Sequence, residues 1–176
     1  MILCGRGVKL RSNDDVDPNL VQLVGCAFNQ NRVEGVSIQG VFDLNVHGCE
    51  FFEHVNEGLD FGPVIAPGFK DVQINITDCN FRSNGAEGLD ITLDAPANPT
   101  GTSGSFDILV EDCDFVGNTL AGMLIDIDYE AQPTWESTLI VRGCYSGANL
   151  DDGIQMDLDS RAAALLHRCN LTANQG

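Results

Sequence analysis

Six cysteines, Cys26, Cys49, Cys79, Cys113, Cys144 and Cys169, occupy the same position of a recurring frame. Five residues after each comes Asn31, His54, Asn84, Asn118, Asn149 or Asn174, and nine residues after the first five comes Gly35, Gly58, Gly88, Gly122 or Gly153. A frame that holds its internal spacing while the segments between repeats change length is the mark of a stacked repeat. Alternate residues are apolar after each glycine (Leu59 and Phe61, Leu89 and Ile91, Met123 and Ile125) and before each cysteine (Leu44 and Val46, Ile74 and Ile76, Ile108 and Val110). Period two means strands with one buried face. The spacing therefore predicts an all-β chain of two short strands per repeat with a bend at the asparagine. That is a parallel β-helix, or β-solenoid, of about six coils with Cys and Asn ladders and open ends.

Each column has a physical reason. Coils stack at the ~4.8 Å strand spacing, so an inward residue meets its own kind above and below. Cysteine is small and apolar enough to bury in such a row. Asparagine tolerates left-handed bends and hydrogen-bonds to neighbouring backbone, and glycine admits a close approach that a side chain would block. Phe28, Phe51, Phe81 and Phe115, two residues after their cysteines, form an expected inward stack. One domain spans 1–176, with a first half-coil and polar loop over 1–20 and repeating coils over 21–174. The six aligned cysteines point along parallel Cβ vectors, which suits reduced thiols better than disulfides. With no Cys-x-x-Cys pair in the chain, a zinc site is not expected.

These aliphatic, Asn and Cys stacks resemble those of the pectin-lyase-like superfamily over roughly Val21 to Asn174. The resemblance implies a right-handed, single-stranded parallel β-helix. It also implies a range of functions, from lyases and hydrolases to coils with no activity.

The net charge of −17 argues against nucleic acid and anionic membranes as partners. No apolar run is long enough to span a bilayer, and Met1-Ile2-Leu3-Cys4 is no signal peptide. The fold expectation places the protein outside the cell or on its surface, with any targeting segment not present in this chain. No helix-forming cap is legible at either end, so end-to-end self-association is a second expectation.

Individuality lies in the connections. Gly35 reaches the next cysteine in 14 residues and Gly153 in 16, whereas Gly58, Gly88 and Gly122 take 21, 25 and 22. Gly62 to Phe69, Ala95 to Ser105 and Tyr129 to Ser137 are therefore read as three stacked long loops, a wall suited to binding. Beside it, on the outward parity, stand Asp60 and Asp90 in one column, Asp126 and Asp157 in the next, and Asp94, Asp128 and Asp159 in a third. Glu57, Glu87 and Asp152, each directly before its glycine, extend the acidic face.

Like charges in register repel, which leaves three readings open. The face is a solvated guard against sheet-to-sheet aggregation. Alternatively Asp94, Asp126, Asp128, Asp157 and Asp159 hold calcium, a cation that takes carboxylate oxygens. Thirdly, carboxyl pairs at ~5 Å or ~6.5–9.5 Å perform glycoside hydrolysis, with Asp126 and Asp128 as catalytic candidates. Asp60, Asp90 and the rings of Tyr129 and Trp135 are the candidate substrate-binding groups, an aromatic ring being a platform for a sugar face. The run Asn149-Leu150-Asp151-Asp152-Gly153-Ile154 resembles the Asn-Thr-Asp-Gly-Ile segment of polygalacturonases, which implies a catalytic role for Asp152. The expectation is an extracellular β-helix that binds or processes a polysaccharide, as a lyase or glycoside hydrolase if it is an enzyme. The rival is a structural or self-assembling solenoid with a merely solvated acidic face.

Overall fold

The structure is a computed structural model and describes residues 7–11, 19–40, 42–63, 71–94, 104–128, 135–158 and 161–175. Strands follow one another in threes, one triplet per coil. The first coil holds β1 (Val8–Arg11), β2 (Asn19–Val24) and β3 (Ala27–Asn29), and the second β4 (Val36–Gly40), β5 (Phe42–His47) and β6 (Glu50–Phe52). Next come β7 (Leu59–Pro63), β8 (Val72–Thr77) and β9 (Asn80–Arg82), then β10 (Leu89–Asp94), β11 (Gly104–Glu111) and β12 (Asp114–Val116). The last two coils are β13 (Met123–Asp128), β14 (Trp135–Arg142) and β15 (Tyr145–Gly147), then β16 (Ile154–Leu158), β17 (Ala162–His167) and β18 (Asn170–Thr172).

Every third strand pairs, always in parallel, to give three six-stranded sheets: sheet 1 runs β1-β4-β7-β10-β13-β16, sheet 2 runs from β2 to β17, and sheet 3 from β3 to β18. The chain is therefore a parallel β-helix, all-β among the described residues. Sheet 3 goes beyond the two-strand expectation: its members are three residues long, too short to show a period in the sequence. Trp135, expected in a loop, instead opens β14 opposite Gly104, so that loop is shorter than its composition suggested. Long-loop residues 64–70, 95–103 and 129–134 lie outside the described residues.

The predicted core is the observed one. Val36, Leu59, Leu89 and Met123 fill one buried column of sheet 1, and Leu44, Ile74, Ile108 and Leu139 one of sheet 2. Phe28, Phe51, Phe81 and Phe115 stack with ring centroids 4.8–5.1 Å apart and planes within 17°. Ser146 follows Phe115 in this column and turns its hydroxyl onto the Gly153 carbonyl at 2.8 Å.

The cysteine column consists of free thiols. Its sulfurs accept backbone N–H groups across coils: Cys26 donates to Cys49 Sγ, Cys49 to Cys79 and Cys79 to Cys113, each at 3.4 Å. Burial pushes the Cys49 thiol up to about 11, so it stays neutral and unreactive.

The bends differ from expectation in one respect. Asparagine is not itself left-handed; the residue before it is, at Gln30, Glu53, Ser83, Gly117, Ala148 and Ala173, and a second left-handed residue precedes each cysteine. That frees the asparagine side chain to point inward. Glycine holds its column because a Cβ at Gly88 would stand 2.6 Å from the Gly122 carbonyl oxygen, and one at Gly122 equally close to that of Gly153.

Candidate functional site

Sheet 1 presents its outward residues in three columns, each fixed by parallel register. Ser37, Asp60, Asp90, Leu124 and Gln155 make the first; Gln39, Gly62, Thr92, Asp126 and Asp157 the second; at the third the backbones of Asp94 and Asp128 pair in register. The aspartate pairs therefore fall where counting from the glycines puts them. Asp159 and Tyr129 lie outside the described residues, and for Asp94, Asp128 and Trp135 the structure describes the backbone alone.

Of the metal and catalytic candidates, Asp94, Asp128 and Asp159 have no described side chain, and Asp126, Asp152 and Asp157 join no group of three close acids among the described residues. Among the described residues, Glu57, Glu87 and Asp90 come together, one carboxylate oxygen of each lying within 4.8 Å of the others. Glu57 and Glu87 precede the glycines that open β7 and β10, and their backbone carbonyls accept the N–H groups of Gly35 and Gly58. With the backbone fixed in this way, both side chains meet Asp90 of β10. Asp60, the register partner of Asp90, accepts a hydrogen bond from Ser37 Oγ at 2.9 Å. Asp126 and Asp157 stand one column along, and Asp152 is two coils beyond Glu87 in the pre-glycine column.

Crowding and burial raise all three acids. Burial pushes Asp90 up to about 6, against the Thr92 hydroxyl that hydrogen-bonds it at 2.7 Å, and the charges of Glu87, Asp60 and Asp126 add to the rise. Glu57 is raised by burial, then by Asp60, Glu87 and Asp90, while its own amide lowers it. Glu87 is likewise raised by burial, opposed by its own amide, with Asp151 adding to the rise. Near neutral pH such a cluster lowers its free energy by taking up a proton or a cation.

Two further features bear on binding. Arg142 is not part of the acidic face; it pairs with Glu111 on the outside of sheet 2, Nε to Oε1 at 2.6 Å. On that same sheet a cavity of about 300 Å³ is lined by Gln73, Asn75, Asp107, Leu109, Thr138 and Ile140. No helix of the described residues is long and apolar enough to cross a membrane. The signal for Glu57 and Glu87 was in the sequence, as acids directly before the frame glycine, but nothing in strand periodicity joined them to Asp90. Compared with protein-family models, with curated proteins and with solved structures, the chain matches none.

Proposed function

We propose that this β-helix binds an acidic polysaccharide along the outer face of sheet 1 outside the cell, with a calcium ion at Glu57, Glu87 and Asp90. The observation that carries the reading is the convergence of three half-buried carboxylates, all with raised pKa, on one point of a regular sheet. Calcium takes six to eight oxygens in flexible geometry, and three carboxylates offer six at most. A uronate carboxylate or water would complete the shell, which gives a chain of charge −17 a way to hold a polyanion. Asp60 stands beside the point on the preceding coil and Asp126 on the following coil one column along, where neighbouring sugars would lie. The likeness of the ladders to pectin-lyase-like coils supports the same class of partner.

The test is calorimetric titration of chelator-stripped protein with calcium, followed by retention on immobilised polyuronate with calcium or chelator. Saturable calcium binding that Asp90→Asn or Glu57→Gln removes, together with calcium-dependent retention, is the expected result. The absence of both sinks the reading. Release of unsaturated uronate from the same polymer would extend it from binding to lyase chemistry.

A second reading has its own observation. Among the described residues both ends of the solenoid leave strands open, with Leu20, Val24, Leu165 and Leu171 exposed. These surfaces favour a coil that assembles.

A further inference from the structure

The three sheets end on β1, β2 and β3 at one end of the solenoid and on β16, β17 and β18 at the other. Behind these outer strands the core residues stay partly open: Val8, Leu10 and Phe28 at the first end, Met156, Leu158 and Leu166 at the last. A strand edge backed by apolar side chains is a template for another strand.

The two ends differ, and each fits the other. All pairing in the molecule is parallel and in register, so the contact between any two coils is the contact a first-end surface makes on a last-end surface. Extending each column by one step makes the match explicit. Beyond Cys169 comes Cys26 of a second copy, beyond Leu171 comes Phe28, and beyond Asn174 comes Asn31. In the inner rungs the asparagine N–H and Nδ2 donate to the next Oδ1, as Asn118 does to Asn149 and Asn149 to Asn174. The Oδ1 of a second copy's Asn31 would continue that ladder from Asn174.

Charge agrees with register. The column Gln39, Gly62, Thr92, Asp126, Asp157 begins at Arg11, so the next position past Asp157 is a second copy's Arg11. The neighbouring column puts Lys9 beside Gln155, above Asp60 and Asp90. Pairing two like ends would instead bring Asp157 towards Asp157, or Arg11 towards Arg11.

We infer that copies of this chain associate head to tail, β1 to β3 of one adding to β16 to β18 of the next, with Arg11 closing on Asp157. The inference rests on the assembly reading above and names its interface. A heterologous contact whose rotation does not close generates open filaments rather than dimers.

Sedimentation of the full chain over a concentration series at physiological salt tests it. The expected mass rises with concentration and does not plateau at the dimer. Asp157→Arg and Arg11→Asp should each weaken association about tenfold, because like charges then meet at the joint. Mixing the two single variants, or combining both changes in one chain, restores it. Both positions of this exchange are on the surface, so circular dichroism should show each variant folded. A monomer at every concentration overturns both the inference and the assembly reading. Association that ignores both charge reversals overturns the head-to-tail joint and leaves the assembly reading standing.

Discussion

The asparagine corner and the acidic face of sheet 1 are built on the same plan, one residue type repeated at the coil spacing, and behave in opposite ways. At the corner, Asn84, Asn118 and Asn149 are buried and each both donates to and accepts from its neighbours. On the face, Glu57, Glu87 and Asp90 carry acceptors alone, and burial, with neighbouring carboxylates adding to it, raises the pKa of all three. Stacking multiplies whatever a side chain does with its own kind. An amide, having both a donor and an acceptor, forms a ladder, whereas a carboxylate needs a proton or a cation between copies.

The largest expected effect breaks the ladder at its centre. Asn118 Oδ1 accepts from Asn84 N at 3.1 Å and from Asn84 Nδ2 at 2.9 Å, and its Nδ2 donates to the Phe81 carbonyl at 3.3 Å and to Asn149 Oδ1 at 3.0 Å. Asn118→Ala strands several of these buried groups without water. Each unsatisfied group costs about 1–3 kcal/mol, so a total loss of about 3–5 kcal/mol is expected in urea unfolding. Glu87→Gln on the acidic face should change stability by under about 1 kcal/mol, in the stabilising direction. Equal losses from the two substitutions would erase the contrast.

His54 joins the two regions through pH, because it occupies an asparagine rung it cannot fully serve. Its Nδ1 accepts from Asn31 N at 3.2 Å and lies 3.3 Å from Asn31 Nδ2, while Nε2 is buried without a hydrogen-bond partner. Burial pushes its pKa down to about 4, the Phe28 carbonyl pulling weakly the other way. The unfolded chain therefore binds the proton first: stability is fully present above about 6.5 and is lost as pH falls towards 4, by about 3 kcal/mol at most. Asp90 has the opposite sign. Its folded pKa is raised to about 6, so the folded state gains stability as pH falls from 6 towards 4, by about 1–2 kcal/mol after allowance for its partial exposure. The two slopes oppose each other in one window. His54→Asn should make the protein gain stability on mild acidification, and Asp90→Asn should make it lose stability more steeply than the parent. Unfolding midpoints at pH 4, 5, 6 and 7 measure both, and variants that keep the parental slope would refute the assignment.

What the sequence made legible follows from which features have a period. The cysteine, asparagine and glycine columns could be read directly, and counting from each glycine put Asp60 opposite Asp90 and Asp126 opposite Asp157. The convergence of Glu87 on Asp90 could not be read that way. Three residues apart, they have opposite parity and belong on opposite faces of any strand, yet β10 starts after Gly88 and the bend there brings them together. Sheet 3 escaped because three residues carry no alternation. The left-handed positions escaped because Asp78, Asp112 and Arg168 occupy them as readily as Gly25, Gly48 and Gly143.

Those left-handed positions give the smallest and sharpest test, because they sit next to the ladder and yet face solvent. Ala148 precedes Asn149 with φ of 57°, exposed, its N–H held by the Thr172 carbonyl at 3.2 Å; Gly117 holds the same place before Asn118 with φ of 67°. A Cβ in this conformation costs about 1–2 kcal/mol, while glycine gives back about 0.4–1 kcal/mol through the freer unfolded chain. Ala148→Gly should therefore stabilise by about 0.5 kcal/mol. Gly117→Ala should destabilise by a comparable amount, since its added Cβ would meet nothing closer than Ser83 Oγ at 3.8 Å and the backbone cost stands alone. A multi-kcal/mol loss from Gly117→Ala would mean that the bend is coupled to the Asn118 rung. The boundary between the intolerant inside of the corner and its tolerant outside would then run further out than the hydrogen bonds place it.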